Sequence, residues 1–245
     1  FEGIPTPTFP WLTMLASLLC IAAGAITVAS HWSDIPDPVP VHWNGSMEAD
    51  NWSDKSIRSV FFSSFVALAL LGLFAIICSF IAHSEVSPRS ERNIKARLRN
   101  EANLAFTNTG MGVLTLLISA GTAFMQVTSL IPHYQRFHSA AIITMLILAI
   151  GGSIGLVVFI LYKQSRLSEQ LRGIHFADED KESPDNDHLY KWGVIYYNPE
   201  DPAVLVDKRF GTGMSFNYAR WQAKVFFGLV ILILVGSLAL PVILG

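Results

Sequence analysis

The sequence predicts an all-α membrane protein with five transmembrane helices and a small β-hairpin module on the cytoplasmic side. Three observations lead to this prediction. Hydrophobic residues make up 51% of the chain and the mean hydropathy is +0.43. Five segments are apolar over the roughly 20 residues that a spanning helix needs, and the Lys and Arg residues are concentrated in alternate loops. The formal net charge of −2 is uninformative about partners, and we expect no nucleic-acid partner.

The five predicted spans contain no Asp, Glu, Lys, Arg or His. They cover residues 11–30, 59–82, 106–130, 140–162 and 225–244. Coupled transporters place ionisable residues inside their spans, so this composition argues against a transporter. The chain also lacks the GxSxG, HExxH and CxxC patterns, and we therefore expect a protein that is not an enzyme and uses no cofactor.

The distribution of basic residues predicts the topology. Five Lys and Arg lie between the second and third spans and nine between the fourth and fifth, whereas the other two loops hold only Lys55, Arg58 and Arg136. Basic loops stay in the cytoplasm. The N-terminus is then cytoplasmic and the C-terminus extracytoplasmic.

The spans and loops divide the chain into six parts. They are an N-terminal segment 1–10, a first helix pair 11–82 with an extracytoplasmic proline-rich loop 31–58, a basic amphipathic cytoplasmic segment 83–105, a second helix pair 106–162, a cytoplasmic linker and hairpin module 163–224, and the fifth helix 225–245. The basic segment fits either an interfacial helix that contacts anionic lipid headgroups or a basic loop that only sets the topology.

The proline-rich loop is predicted to be stiff. Pro36, Pro38 and Pro40 fix φ and push the residue before each of them out of the α region. Asn44-Gly45 then favours a tight turn. We expect a preformed surface for an extracytoplasmic ligand. Its candidate residues are Trp32, His42, Trp43, Asn44, Asp50 and Trp52.

His42 has two interpretations. The favoured one is structural, in which the imidazole holds the turn by bonding a backbone carbonyl or Asp50. The other is a metal site, but the spacing of His and acidic residues matches no metal motif, so we predict none. A metal-dependent enzyme at the outer face, using His42, His133 and Asp50, stays as an alternative.

The module before the fifth span is predicted to hold two strands, 192–197 and 203–206, joined by a turn at 198–202. A lone hairpin is marginal in water, so the module should pack on the membrane or on a protein partner. Its candidate residues for a partner or for lipid headgroups are Tyr196, Tyr197, Asn198, Lys208, Arg209 and Gly211. The last three could cradle an anion or form a plain charged turn.

Small and polar residues predict how the helices pack. Gly24 lies among alanines in the first span, and Gly151 and Gly155 have the GxxxG spacing in the fourth, which favours close helix contact. A polar stripe in the third span could hydrogen-bond to a neighbouring helix. It consists of Thr115, Ser119, Thr122 and Gln126.

Residues 35–55 resemble the extracytoplasmic loop motif of a broad bacterial membrane family that includes the SdpI-type toxin-immunity proteins. The matching positions are Pro36, Pro40, His42, Trp43, Asn44, Gly45, Asp50 and Lys55, with Met47 where the family usually has Gly. Residues 190–217 resemble a second uncharacterised bacterial module. Its marks are Trp192-Gly193, Tyr196-Tyr197-Asn198-Pro199, Asp201-Pro202 and Lys208-Arg209-Phe210-Gly211.

The resemblance implies a multi-pass protein of a bacterial plasma membrane. The family's best-understood members protect against a secreted toxin and hold a cytoplasmic regulator at the membrane. We therefore expect a non-enzymatic protein of the immunity or signalling type. It would recognise an extracytoplasmic ligand and bind a partner or membrane lipids at the cytoplasmic face. The alternative is an accessory subunit of a larger membrane complex.

Overall fold

A computed structural model describes residues 4–46, 48–83, 94–171, 187–207, 214–228 and 231. Four long helices dominate these residues: α1 (Trp11–Ser30), α2 (Ile57–Ala82), α3 (Ile94–Leu130) and α4 (His138–Leu171). Each contains a stretch long and apolar enough to cross a membrane. The first four predicted spans are thereby confirmed as helices, and they indicate a multi-pass membrane protein.

The predicted fifth span lies mostly outside the described residues. Residues 221–228 are helical and include its start. The fold class is confirmed at this level: mainly helical, with small antiparallel strand pairs.

The basic segment 83–105 is not a separate element where the structure describes it. From Ile94 the chain is helical and continues without a break into α3. Residues 84–93 lie outside the described part. The reason for the difference is that charged residues end an apolar run but do not end a helix, since Lys, Arg, Glu, Ala and Leu all have high helix propensity.

The described residues form two compact units. The first, called the bundle, consists of Pro7–Ala82 and Leu104–Lys163. The second contains residues 187–207 and 214–228, which we call the tyrosine module, together with shorter pieces of α3 and α4. Each unit has a buried apolar cluster of its own, which includes Val39 in the bundle and Tyr196 in the tyrosine module.

α3 has the largest share of buried residues of the four long helices in its most apolar stretch. In its most apolar stretch, 44% of the residues are buried, whereas the corresponding stretch of α4 has none. In water, the apolar side chains of α4 would form a large exposed patch. That surface therefore fits a helix that faces lipid or another protein.

The polar stripe of α3 reaches a neighbouring helix mainly through Gln126. Its Nε2 donates to the carbonyl of Val60 at 3.1 Å, and its Oε1 accepts from the Ser64 hydroxyl at 2.8 Å. Thr115 and Thr122 instead donate to carbonyls one turn back in α3. The prediction was wrong for these two residues because a threonine hydroxyl in a helix can bond its own backbone.

Glycine positions show which helix faces come together. A Cβ added at Gly24 would lie 2.9 Å from Ala123 Cβ, so α1 and α3 approach as closely as the sequence predicted. At Gly151 and Gly155 an added Cβ would meet none of the described residues within 4 Å. The close contact of α4 is made at Gly152, where an added Cβ would lie 3.0 Å from Leu114 Cδ1. The GxxxG prediction therefore placed the contact on the wrong face, because successive helical residues point about 100° apart.

Three antiparallel strand pairs complete the described fold. β1 (Val39–Trp43) pairs with β2 (Ala49–Ser53), β3 (Tyr190–Lys191) with β4 (Ile195–Tyr196), and β5 (Leu205–Asp207) with β6 (Met214–Phe216).

The strand pairing in the tyrosine module differs from the prediction. Trp192 and Gly193, expected in a strand, have φ of 52° and 76° and form the turn between β3 and β4. Residues 203–206 lead into β5, which pairs with β6 rather than with the run 192–197. The apolar pattern identified strand-forming segments, but turn geometry decided which of them pair.

Candidate functional site

The base of the proline-rich loop packs within the hydrophobic core of the bundle. Ile35 and Val39 are buried in one cluster with residues from the ends of the helices. The cluster also contains Val28, Val60, Leu130 and Ile131. The loop is therefore fixed at its base by apolar burial, the dominant stabilising term in packing.

Lys55 closes the base of the loop. Its Nζ donates to the carbonyl of Ile35 at 2.8 Å and lies 5.3 Å from the centre of the Trp32 ring. Its backbone N–H donates to the Asp37 carboxylate at 3.1 Å. The Trp32 ring in turn stacks on Phe61 at 6.3 Å. One cation thus joins the two ends of the loop, with a cation–π contribution from Trp32.

Of the two partners predicted for His42, a backbone carbonyl or Asp50, the structure shows Asp50. The Nδ1 of His42 lies 2.5 Å from Oδ1 of Asp50, across β1 and β2. The two side chains are 65% and 42% exposed. A hydrogen-bonded pair this exposed adds little to stability, and an incoming ligand can reach both side chains.

Asn44 holds the turn rather than facing a ligand. Its Oδ1 accepts from the backbone N–H groups of Ser46 at 2.9 Å and Glu48 at 3.1 Å. Its own N–H donates to the Glu48 carbonyl at 2.9 Å. This is the usual way in which an asparagine side chain mimics a backbone turn.

Trp43 packs against the start of α4. The centre of its ring lies 4.7 Å from the ring centre of His138, the first residue of the helix. His138 is only 8% exposed, and within the described residues its two ring nitrogens have no hydrogen-bond partner. Trp43 therefore connects the strand pair to α4, a contact that the sequence did not indicate.

Fewer loop residues are available to a ligand than predicted. Five of the six candidates are exposed and Trp43 is half-buried, but Trp32 and Asn44 make the contacts described above, which leaves His42, Asp50 and Trp52, the last 51% exposed. Val41 is a further exposed apolar side chain in β1. His42 and Asp50 are in contact across the paired strands, and Trp52 follows Asp50 by two residues in β2, whereas Trp32, Trp43 and Asn44 make structural contacts. A surface with one imidazole, one carboxylate and one indole suits a polar ligand that also has an apolar or aromatic part.

The structure does not assemble the metal site of the enzyme alternative. Among the described residues, no group of three or more His, Cys, Asp or Glu side chains could hold a metal ion. His133 instead contacts Tyr134 edge to face, with ring centres 5.0 Å apart. The trio of His42, His133 and Asp50 is therefore not supported as a metal centre.

A buried network forms the core of the tyrosine module. The hydroxyl of Tyr196 donates to the Asp201 carboxylate at 3.0 Å and accepts from Asn198 Nδ2 at 3.2 Å. Tyr196 is 3% exposed, and burial raises the pKa of its phenol above the usual range. The phenol consequently stays protonated and acts as a donor inside the module.

Asn217 connects the two halves of this module. Its Oδ1 accepts from the N–H groups of Asn198 and Ala219, and its Nδ2 donates to the carbonyls of Asn198 and Asp201. Arg220 also donates to the Asp201 carbonyl, from Nε at 2.7 Å and from Nη2. Neither role was predicted.

The predicted partner surface of the module changes accordingly. Tyr196 and Asn198 are structural, while Tyr197 is half-buried and lies under Lys191, whose Nζ is 3.5 Å from the ring centre. The remaining candidates, Lys208, Arg209 and Gly211, lie outside the described residues. Their predicted role stays a prediction.

Comparison with known proteins yields two family matches. Residues 18–68 match a domain of unknown function, DUF1648, which covers the proline-rich loop and parts of α1 and α2. Residues 199–224 match a family of unknown function, DUF5808, which covers the second half of the tyrosine module. No curated protein matches the chain, and no solved structure matches it. The two families thus mark the same two regions that the site geometry distinguishes, and neither has an assigned activity.

Proposed function

We propose that the proline-rich loop is a preformed binding surface for an extracytoplasmic ligand on a multi-pass protein of a bacterial plasma membrane. The observation that carries this proposal is a loop fixed at its base by Lys55 and at its strands by Trp43, with His42, Asp50 and Trp52 left exposed.

Rigidity supports a binding role for physical reasons. A loop that is already ordered loses less conformational entropy when a ligand binds. Tryptophan is also enriched among the interface residues that dominate binding energy. An exposed indole beside an open imidazole–carboxylate pair gives the loop both an apolar anchor and polar contacts.

The proposed biological role is non-enzymatic immunity or signalling of the SdpI type. The ligand outside the cell would be a secreted toxin or a comparable molecule. The tyrosine module would bind a regulator protein or lipid headgroups at the cytoplasmic face. The stiff loop and the separate folded module support a protein with one recognition element on each side.

This role predicts that the exposed loop residues matter more than their neighbours for protection. A strain that lacks the gene should grow poorly in culture supernatant of its parent strain, and the wild-type gene should restore growth. The double variant His42→Ala/Trp52→Ala should lose at least about tenfold in protection, since two contact residues worth about 1 kcal/mol or more each would be removed. Survival counts and membrane levels of the protein are the measurements.

The matched control is Ser46→Ala, an exposed residue of the same loop that contributes its backbone N–H to the turn, which alanine keeps. It should protect as well as wild type. Full protection by the double variant would refute recognition by this surface, and growth of the deletion strain without any defect would refute the immunity role.

The proposed orientation places the N-terminus in the cytoplasm and the C-terminus outside. In a variant without Cys20 and Cys78, a membrane-impermeant maleimide added to intact cells should label a cysteine at Ser46 but not one at Glu200, both of which are exposed. After permeabilisation, both should be labelled. The opposite pattern in intact cells would invert the assignment.

A second candidate function is an accessory subunit of a larger membrane complex. The observation that favours it is the exposed face of α4, where Gly151 and Gly155 have no neighbour within 4 Å of an added Cβ in the described part of the chain. Small residues on an open helix face allow a second helix to approach closely in a membrane.

A further inference from the structure

The tip of the β3–β4 hairpin carries the most exposed tryptophan of the described chain. Trp192 is 88% exposed and Val194, two residues on, is 63% exposed. Both lie in the turn of a hairpin whose strands are two residues long. Large apolar side chains at such a small tip are not stabilised by burial in the module's own core. They therefore indicate an apolar contact outside the module.

The backbone at this tip has an unusual conformation. Trp192 has a φ of 52°, in the left-handed region that bulky residues rarely adopt. Glycine would take this conformation without steric cost. A tryptophan in a conformation that suits glycine is a point of local strain, and such strain clusters at functional positions.

The hairpin is connected to the chain segment that approaches the predicted fifth span. The backbone N–H of Tyr218 donates to the Tyr196 carbonyl of β4 at 3.0 Å. Phe216 stacks on Phe226 with ring centres 4.9 Å apart, and Tyr218 stacks on Phe227 at 5.1 Å. At about 3.3 Å per residue, the tip lies only about 10–15 Å from Tyr196. The hairpin is thus held close to the helix, 221–228, that leads into the predicted span.

We propose that Trp192 and Val194 insert into the interface of the bilayer that contains this chain. Tryptophan is the residue that most often occupies this layer, because its ring is apolar and its N–H is polar. Lys191, next to the tip, adds a cation suited to anionic headgroups, and Trp221 at the helix start is also 63% exposed. The inference rests on the proposed attachment of the module to the membrane, and it assigns the lipid contact to residues outside the six candidates predicted for this module.

The test uses the full chain in vesicles of phosphatidylcholine and phosphatidylglycerol, with Cys20 and Cys78 replaced by alanine. A cysteine at Val194 carries an NBD fluorophore, and some lipids carry a nitroxide close to the headgroup. We expect the nitroxide to quench NBD at Val194 several-fold more than NBD at Glu200, an exposed position of the same module away from the tip. NBD emission at Val194 should also be shifted to the blue.

A second variant isolates the tryptophan side chain. Trp192→Gly fits the positive φ and keeps the module folded, which its unchanged resistance to protease would establish. In this background, quenching at Val194 should fall toward the value at Glu200. Equal quenching at both positions in the parent would overturn the proposal, as would undiminished quenching after Trp192→Gly.

A protein partner at the tip would give a different result. NBD at Val194 would then be solvent-exposed in vesicles of the purified protein and shielded only in native membranes, and this outcome would also overturn the proposal. The survival assay for the proline-rich loop is independent of this measurement, so a failure of lipid insertion is distinguishable from a failure of the proposed recognition.

Discussion

Replacement of Gly24 by leucine is expected to destroy the folded bundle, whereas the same replacement at Gly155 should leave it intact. A Cβ at Gly24 would lie 2.9 Å from Ala123 Cβ and 3.2 Å from its Cα. Because one of these atoms belongs to the backbone of α3, a small side-chain movement cannot relieve the overlap. Overpacking usually costs about 1–3 kcal/mol, and a leucine between two helices in backbone contact should cost at least the upper part of this range.

The measurement is the fraction of each variant that elutes as a single folded species in mild detergent, together with its Tm. Gly155→Leu is the matched control, because it is the same chemical change in a helix where no residue that the structure describes lies within 4 Å of the added Cβ. A stable Gly24→Leu variant would contradict the close approach of α1 and α3.

The control variant also tests the accessory-subunit alternative. If a membrane protein co-purifies with this chain in stoichiometric amount, Gly155→Leu should remove it while the bundle stays folded. A chain that purifies alone, or a complex that tolerates the leucine, would count against a partner on this face of α4.

Asn217→Ala should unfold the tyrosine module while the bundle persists. Asn217 is fully buried, and its side chain makes four hydrogen bonds to the backbone at Asn198, Asp201 and Ala219. Alanine would remove the side-chain partner of the Asn198 N–H, the Asn198 carbonyl and the Ala219 N–H, at about 1–3 kcal/mol each, whereas the Asp201 carbonyl keeps its bonds from Arg220. The free energy of unfolding should fall by about 3–6 kcal/mol in total. A module built on strands of two or three residues cannot stay folded after such a loss.

Hydrogen exchange of residues 187–228 is the measurement, with Glu200→Ala as the control on the exposed surface of the same module. Wild type and Glu200→Ala should show protected amides at Tyr197 and Asn217, which donate to backbone carbonyls. In Asn217→Ala, this protection should be lost, while residues 11–30 keep theirs. Retained protection in the alanine variant would show that the side chain contributes little to the module.

The candidate sites illustrate how much could be predicted from residues alone. Asp50 was one of the two partners predicted for His42, because both residues flank a turn that Asn44-Gly45 marks in the sequence. The structural role of Trp43 was not, because its contact, His138, lies on another helix. Likewise, Tyr196 was predicted to lie on the surface of a strand. The turn that follows places Asp201 beside it, and the buried Tyr196 hydroxyl donates to the Asp201 carboxylate.

Local properties of the chain were sufficient to predict the four long helices and the loop between α1 and α2. The properties in question are the length of an apolar run, the fixed φ of proline and the helix propensity of each residue. The folded structure was needed to establish which face of α4 packs on α3, which strands pair, and which loop residues remain exposed. Those outcomes depend on the rotation of each helix and on contacts between residues far apart in the chain, such as Lys55 with Ile35, and no local pattern specifies them.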